Sequence, residues 1–195
     1  MLCFFIVLVA YMLGSVPVGL ILTKLAGRGD LRKVGSGNIG ATNVMRVGGL
    51  RMAGLVWILD MLKAVIAVLI GWWAFGIGFA AWCGFFAVVG HCFPVWLKFR
   101  GGKGVSCLFG IWLVMNPIIF ITCGIEWLII ALTTGKSAAG ALVAFSLAPI
   151  LGFVMNTSVG WAFLAASVLC AVRHKANIVR LSQGKESVIE WKWKK

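Results

Sequence analysis

The sequence predicts an all-α integral membrane protein, a bundle of seven transmembrane helices with its N-terminus outside and its C-terminus in the cytoplasm. Three observations carry that prediction. The 195 residues are 62% hydrophobic and 12% charged, with ten tryptophans, a composition outside the range of soluble domains. Apolar runs close to the roughly 20 residues that a spanning helix needs recur along the whole chain. The basic residues gather in alternate loops, as they do when a cytoplasmic excess of Lys and Arg sets orientation.

Taken in order, the spans are expected at about 2–23, 52–72, 75–97, 104–116, 117–134, 138–155 and 158–172, within a single polytopic domain covering 1–195. The first span has no basic residue ahead of it and several behind it, so it reads as an uncleaved helix rather than a secretory signal. Spans two and three are joined by the charge-free "GWWAFGIG" (71–78), and spans six and seven by "MNTSVG" (155–160). Spans four and five are separated only by "MNPI" (115–118), where Asn116 and Pro117 suit a tight turn. Lys24, Arg28, Arg32, Lys33, Arg46 and Arg51 lie in the first loop, Lys98, Arg100 and Lys103 after span three, Lys136 after span five, and seven more between Arg173 and Lys195. Merging spans four and five would place Lys136 and the tail on the wrong side.

The net charge of +13 fits a basic cytoplasmic rim beside anionic lipid headgroups, so membrane lipids are the expected partners and nucleic acid is not. Cys3, Cys83, Cys92, Cys107, Cys123 and Cys170 form no C-x-x-C pair and read as small packing residues. The five carboxylates, Asp30, Asp60, Glu126, Glu186 and Glu190, are dispersed and the two histidines lie far apart; neither a metal site nor a cofactor is expected.

Three polar clusters interrupt the apolar pattern. The first, "VGSGNIGATNVMRVGG" (34–49), has no apolar periodicity. Gly35, Gly37 and Gly40 spell G-x-G-x-x-G, but no strand precedes them, so the dinucleotide reading fails on context. What remains is a set of glycine amides, at Gly35 and Gly37, able to face an anion. Ser36, Asn38, Thr42 and Asn43 flank it, and Arg46 can grip a phosphate by two parallel hydrogen bonds. The alternative is a flexible polar loop.

The second cluster, "HCFPVWLKFRGGKGVS" (91–106), offers amides at Gly101, Gly102 and Gly104 with one cation, Lys103, at the start of a helix, where the dipole favours an anion. Walker A spacing is absent, since position 97 is Leu. In the third, "RHKANIVRLSQGKE" (173–186), a continuous helix puts Arg173, Asn177 and Arg180 at i, i+4 and i+7, with His174 three residues before Asn177. Arg180 and Lys185 are assigned to the lipid headgroups, His174 and Asn177 to a site. Together the clusters suggest a cytoplasmic site for one or two phosphorylated molecules, open sideways to lipid.

"GSGNIGATNVMR", "FRGGKGVS" and "RHKANIVRLSQGKE", in this order between apolar spans and with "DMLKA" (60–64) in span two, resemble the bacterial acyl-phosphate-dependent glycerol-3-phosphate acyltransferases, the PlsY family. The resemblance covers the whole chain. One departure is Ala176, where Glu between the His and Asn of the third motif is common in the family. The resemblance implies transfer of a fatty acyl group from acyl phosphate to the 1-hydroxyl of glycerol 3-phosphate, giving lysophosphatidic acid and inorganic phosphate. It also implies a bacterial inner-membrane location with the site facing the cytoplasm, and the enzyme that makes acyl phosphate as a candidate partner. Carried onto this chain, the catalytic residues are Ser36, Arg46, Lys103, His174 and Asn177. The substrate-binding residues are Gly35, Gly37, Asn38, Thr42, Asn43, Gly101, Gly102, Gly104, Ser137 and Glu186.

An acyl phosphate is already activated, so no acyl-enzyme is required. No Ser-His-Asp set is apparent, and the H-x-x-x-x-D motif of other acyltransferases is missing, because Trp96 follows His91 by five residues and Val179 follows His174. Either His174 or a substrate phosphate oxygen takes the hydroxyl proton. Asp60 and Lys63, at i and i+3, are a structural ion pair or a support for the phosphate site. Glu126 is expected to carry a proton or find a partner, and Ser137 reaches the site or caps a helix. The rival reading is a transporter for a phosphorylated solute, though the polar motifs lie at one face rather than at the midplane. A lipid-synthesis enzyme with a nucleotide-linked donor would need clustered acidic metal ligands.

Overall fold

The computed structural model describes residues 1–189; Glu190 and the basic Lys192, Lys194 and Lys195 of the expected cytoplasmic tail lie outside the described residues. The described chain is all helical. Helix α1 (Leu2–Ser15) stops ahead of Pro17 and α2 (Val18–Leu25) resumes after it, so the first expected span is one apolar stretch, Leu2–Leu25, with a break inside. The cause is local: Pro17 has no N–H and holds Val16 in extended backbone (φ −62°, ψ 117°).

After a polar loop the chain enters α3 (Ala41–Cys92), 52 residues long. Straight, it would measure about 78 Å, far more than the ~30 Å hydrocarbon core. It is not straight. Gly49 (φ 78°) and the pair Phe75–Gly76 (Gly76 φ 78°) leave the helical region, backbone that glycine adopts at little cost. Beyond Gly76 the helix folds back on itself, with Gly71 packed on Ala80 and Cys83, and Gly84 on Val68. This hairpin corresponds to the second and third expected spans. One expectation is corrected: the stretch from Ala41 onward, which shows no apolar periodicity, is helix rather than loop, so Thr42, Asn43 and Arg46 stand on the first turns of α3.

Helix α4 (Val105–Met115) has 11 residues and is too short to cross the core alone. Helices α5 (Pro117–Thr134), α6 (Ser137–Met155) and α7 (Thr157–Arg173) follow close to the expected boundaries. Asn116 and Asn156 start α5 and α7 by the same device, their side-chain oxygens accepting the amides of Ile118 and Ser158 at 2.8 Å. Ser137 is the first residue of α6, after the N-cap Lys136, and this helix start has no side-chain capping hydrogen bond. Among the described residues four stretches are long and apolar enough to span; α7 with α8 (Lys175–Ser182) makes a fifth if a 61° bend is allowed within it. That bend, at His174, overturns the continuous helix expected for the third cluster.

The core lies where α3, α4, α6 and α7 meet, around the fully buried Trp112, Phe163 and Leu108. Glycines let backbones touch, as membrane helices favour: Gly14 of α1 lies on Ala87, Gly90 on Tyr11, and Gly110 of α4 on Met61. Both carboxylate oxygens of Glu126 are buried without a hydrogen-bond partner among the described residues.

Candidate active site

Each polar cluster is shaped before it meets the others. In the first, Asn43 is 1% exposed and gathers the loop around itself. Its amide donates to the carbonyls of Leu31, Val34 and Asn38 (3.1, 3.0 and 2.8 Å), and its Oδ1 accepts the Ser36 amide at 2.9 Å. Asn38 Oδ1 accepts the Gly40 amide (2.8 Å) just before α3 begins. In the second, the amides of Gly101 and Gly102 donate to the carbonyls of Cys92 (3.1 Å) and His91 (2.9 Å). Arg173 donates back to the carbonyls of Gly101 (2.9 Å) and Gly102 (3.1 Å).

These bonds correct the picture of a nest of free glycine amides. Gly37, Gly40, Gly101 and Gly102 all direct their N–H groups inward, and Gly35, Gly37, Gly101 and Gly102 do not line the main cavity. Their task is shape. Gly35 and Gly37 hold positive φ (60° and 69°), which turns the loop around Asn43.

The three clusters meet on a cavity of about 300 Å3. Ser36, Asn38, Thr42, Asn43 and Arg46 come from the first, Lys103 and Gly104 from the second, His174, Asn177 and Glu186 from the third, and Ser137 from the start of α6. Arg180 belongs here too, contrary to its expected headgroup position. It lies one helical turn beyond Asn177, and that spacing was its signal. The rest of the wall is apolar: Trp57 of α3, Phe109 of α4, and Phe120, Trp127 and Leu128 of α5. Apolar side chains on spanning helices look alike in sequence whether they face lipid or a cavity, so these gave no signal. Ser106 and Ser187 also reach the wall.

A hydrogen-bond chain runs across the polar end. Lys103 Nζ donates to Asn177 Oδ1 at 2.5 Å. The Asn177 amide donates to Glu186 Oε1 (2.8 Å), and Arg180 Nε donates to Glu186 Oε2 (2.8 Å). On the facing wall Arg46 donates to Ser187 Oγ at 2.8 Å. Burial, with Arg180, Arg46 and Arg173 nearby, lowers the Lys103 pKa to about 8 against the opposing pull of Glu186.

His174 sits at the bend between α7 and α8 with Nδ1 2.7 Å from the Cys170 carbonyl and its ring edge-on to Phe145, centroids 5.4 Å apart. Burial, helped by the Lys103 charge and opposed by the Cys170 bond, lowers its pKa to about 4. The ring is therefore neutral, donates from Nδ1 and keeps its lone pair on Nε2. Among the described residues no three His, Cys, Asp or Glu side chains gather as metal ligands.

A cavity lined by both cations and aromatic rings suits a molecule with an anionic head and an apolar tail. The family model for glycerol-3-phosphate acyltransferase matches residues 4–184. The glycerol-3-phosphate acyltransferase of Gluconobacter oxydans is 47% identical over 188 residues, covering 92% of this chain and 89% of that one. That of Rhizobium meliloti is 45% identical over 181 residues, covering 92% and 88%. Two crystal structures of PlsY (YgiH), an integral membrane glycerol 3-phosphate acyltransferase, superpose on nearly the whole fold. The glycerol 3-phosphate form gives a TM-score of 0.92 at 36% identity, covering 97% of this chain and 96% of that one. The lysophosphatidic acid form gives 0.90 at 34%, covering 98% and 97%. With the family model matched almost end to end and the same helical framework in the solved structures, this chain belongs to the glycerol-3-phosphate acyltransferase family.

Proposed function

We propose that the enzyme transfers a fatty acyl group from acyl phosphate to the 1-hydroxyl of glycerol 3-phosphate, at a site facing the cytoplasm of a bacterial inner membrane. The observation that carries this reading is the cavity's mixed lining: Arg46 and Arg180 lie close enough to Lys103 to depress its pKa, and Trp57, Phe109, Phe120, Trp127 and Leu128 form an apolar wall. The apolar wall accommodates the acyl chain. The cations hold two phosphates, that of the donor and that of glycerol 3-phosphate, with Ser36, Asn38 and Thr42 adding neutral donors.

Holding two substrates in register can account for roughly 7–11 kcal/mol of the barrier, and a preorganised donor at the developing oxyanion for about 2.7–4 kcal/mol. The glycerol hydroxyl oxygen attacks the acyl carbon, the bond from that carbon to the bridging phosphate oxygen breaks, and phosphate leaves. With its pKa near 4, His174 orients the hydroxyl as a hydrogen-bond acceptor at Nε2, and the proton ends on the departing phosphate. The alternative of a phosphorylated-solute transporter lacks an equivalent use for the aromatic wall.

The test is a detergent-solubilised assay with EDTA present, offering acyl phosphate, acyl-CoA and acyl carrier protein in turn. Phosphate and lysophosphatidic acid should form in equal amounts from acyl phosphate alone. Turnover with acyl-CoA or acyl carrier protein would overturn the donor assignment. Uptake of glycerol 3-phosphate into liposomes without chemistry would favour the transporter.

A further inference from the structure

Against the cavity, which His91 itself helps to line, α3 buries three ionisable side chains that the proposed chemistry does not use. Lys63 Nζ lies 2.7 Å from Asp60 Oδ1, 2.9 Å from His91 Nδ1 and 3.0 Å from the Val16 carbonyl. That carbonyl, at the break made by Pro17, also accepts the Val18 amide at 3.0 Å. The three side chains are 7% or less exposed. Charges inside a membrane bundle are costly, and a buried ion pair seldom stabilises a fold more than apolar residues of the same volume would. An arrangement like this is kept for what it fixes in place, and its contacts say what that is.

His91 Nδ1 faces the ion pair, 2.9 Å from Lys63 Nζ and 3.6 Å from Asp60 Oδ1, so the pair sets the orientation of that ring. The opposite edge of the ring, at Nε2, abuts Gly102, where any Cβ would collide with it. The backbone of the same turn is tied to the same place: the His91 carbonyl accepts the Gly102 amide and the Cys92 carbonyl accepts the Gly101 amide. From the other side Arg173 holds both glycine carbonyls, its guanidinium 5.2 Å above the Phe93 ring. Residues 101 and 102 are thus gripped on two faces, and the next residue is Lys103.

We infer that Asp60, Lys63 and His91 are positioning residues for Lys103: the ion pair fixes the imidazole, the imidazole sets where Gly102 rests, and Gly102 sets where the Lys103 side chain enters the cavity. This rests on the role given to Lys103 above. It also reassigns Gly102. The absence of a side chain there serves the His91 ring rather than the approach of a phosphate to the backbone.

The test is a double-mutant cycle between positions 91 and 102. His91→Asn keeps an acceptor for Lys63 and vacates the space in front of Gly102. Gly102→Ala alone should lower kcat about tenfold or more, yet only about twofold when added to His91→Asn, the non-additivity of residues in contact. The loss of Tm caused by Gly102→Ala should shrink in the same way, which decides the packing step even where that variant turns over too slowly to assay. In His91→Gln, whose longer amide still fills the space, the cost of Gly102→Ala should persist. Equal losses from Gly102→Ala in all three backgrounds would overturn the inference, as would coupling in Tm without coupling in kcat, the mark of a purely structural clamp. kcat is measured with whichever acyl donor supports turnover, so an error in the donor assignment does not imitate a failed clamp.

Discussion

Arg46 and Arg51 are one and a half helical turns apart with the same side chain, and they should behave as different residues. Arg46 lines the cavity and donates to Ser187; Arg51, exposed as Arg46 is, does not line the cavity. A guanidinium that holds a phosphate through its planar fork is not replaced by a lysine point charge. Arg46→Lys is expected to lose most activity and Arg51→Lys little. Arg46→Ala should lower kcat/KM at least about thirtyfold, the loss of about 2 kcal/mol expected when a hydrogen bond to a charged phosphate is removed. Steady-state kinetics on the three variants, with folding checked by thermal melts, decides this; similar behaviour of Arg46→Ala and Arg51→Lys would remove Arg46 from the site. Lys103 gives a pH signature. Its pKa near 8 means the ammonium is present below pH 8 and is lost above it. Phosphate binds the charged form, so KM for glycerol 3-phosphate should rise toward tenfold per pH unit above 8 and be flat below. Tighter binding above pH 8 would show the neutral amine to be the working form. Lys103→Ala, which removes the charge at all pH values, should abolish turnover in a protein that still folds. At this scale the sequence is informative about residue type: an arginine or lysine among glycines between oily helices has few other reasons to be there. It is silent on which glycine amides are free, because that depends on carbonyls such as those of His91 and Cys92, brought in by the fold.

The segment after α8 is the element least visible in sequence and the one that closes the site. Glu186 is buried, accepting from Asn177 and Arg180. Beyond it Ser187 meets Arg46, and the Ile189 amide donates to the Gly135 carbonyl at 2.7 Å. One short stretch without regular structure therefore ties α8, the start of α3 and the α5–α6 turn together. Glu186→Gln replaces an acceptor with a donor opposite one of two donors. It should cost about 1–3 kcal/mol, the penalty for leaving a buried donor without its acceptor, and lower Tm by roughly 2–12 °C. kcat should fall with it, because Asn177 and hence Lys103 lose their orientation. Lys185→Gln, one residue earlier but exposed, should change neither. An unaltered Tm in Glu186→Gln would mean that this closure is not a structural element. Helix boundaries marked by local chemistry were legible: Asn116 and Asn156 begin α5 and α7 where an Asn stands before Pro or Thr. The helical first turns of α3 were hidden by their lack of an apolar face, and the bend at His174 by the good helix formers around it.

At the scale of the whole molecule, alternate basic loops imply that the three polar clusters share one side of the membrane, and the fold brings all three onto one cavity. Convergence alone does not orient that cavity. The cytoplasmic orientation proposed above draws on the charges: Arg32, Lys33, Arg100 and Arg173 line a second groove behind the two glycine loops, with Asp30 as its acidic member, and a cationic rim of this kind is expected beside the cytoplasmic leaflet. The seven crossings we propose count the α3 hairpin as two and accept α4 as a short one. A cysteine placed in turn at Ser36, Gly101 or Gln183, in a background without the native thiols, should resist membrane-impermeant maleimide in intact cells and react once the cells are opened. Gln183 is the most exacting of the three, since it follows every proposed span and reports the parity of their number. If α4 and α5 together made a single crossing, Gln183 would label from outside while Ser36 stayed protected. Such a result would place the third cluster across the bilayer from the first, which the 2.8 Å bond between Arg46 and Ser187 forbids in this fold. The same experiment therefore weighs the charge argument and the packing argument against each other, and protection of all three positions is the outcome both require.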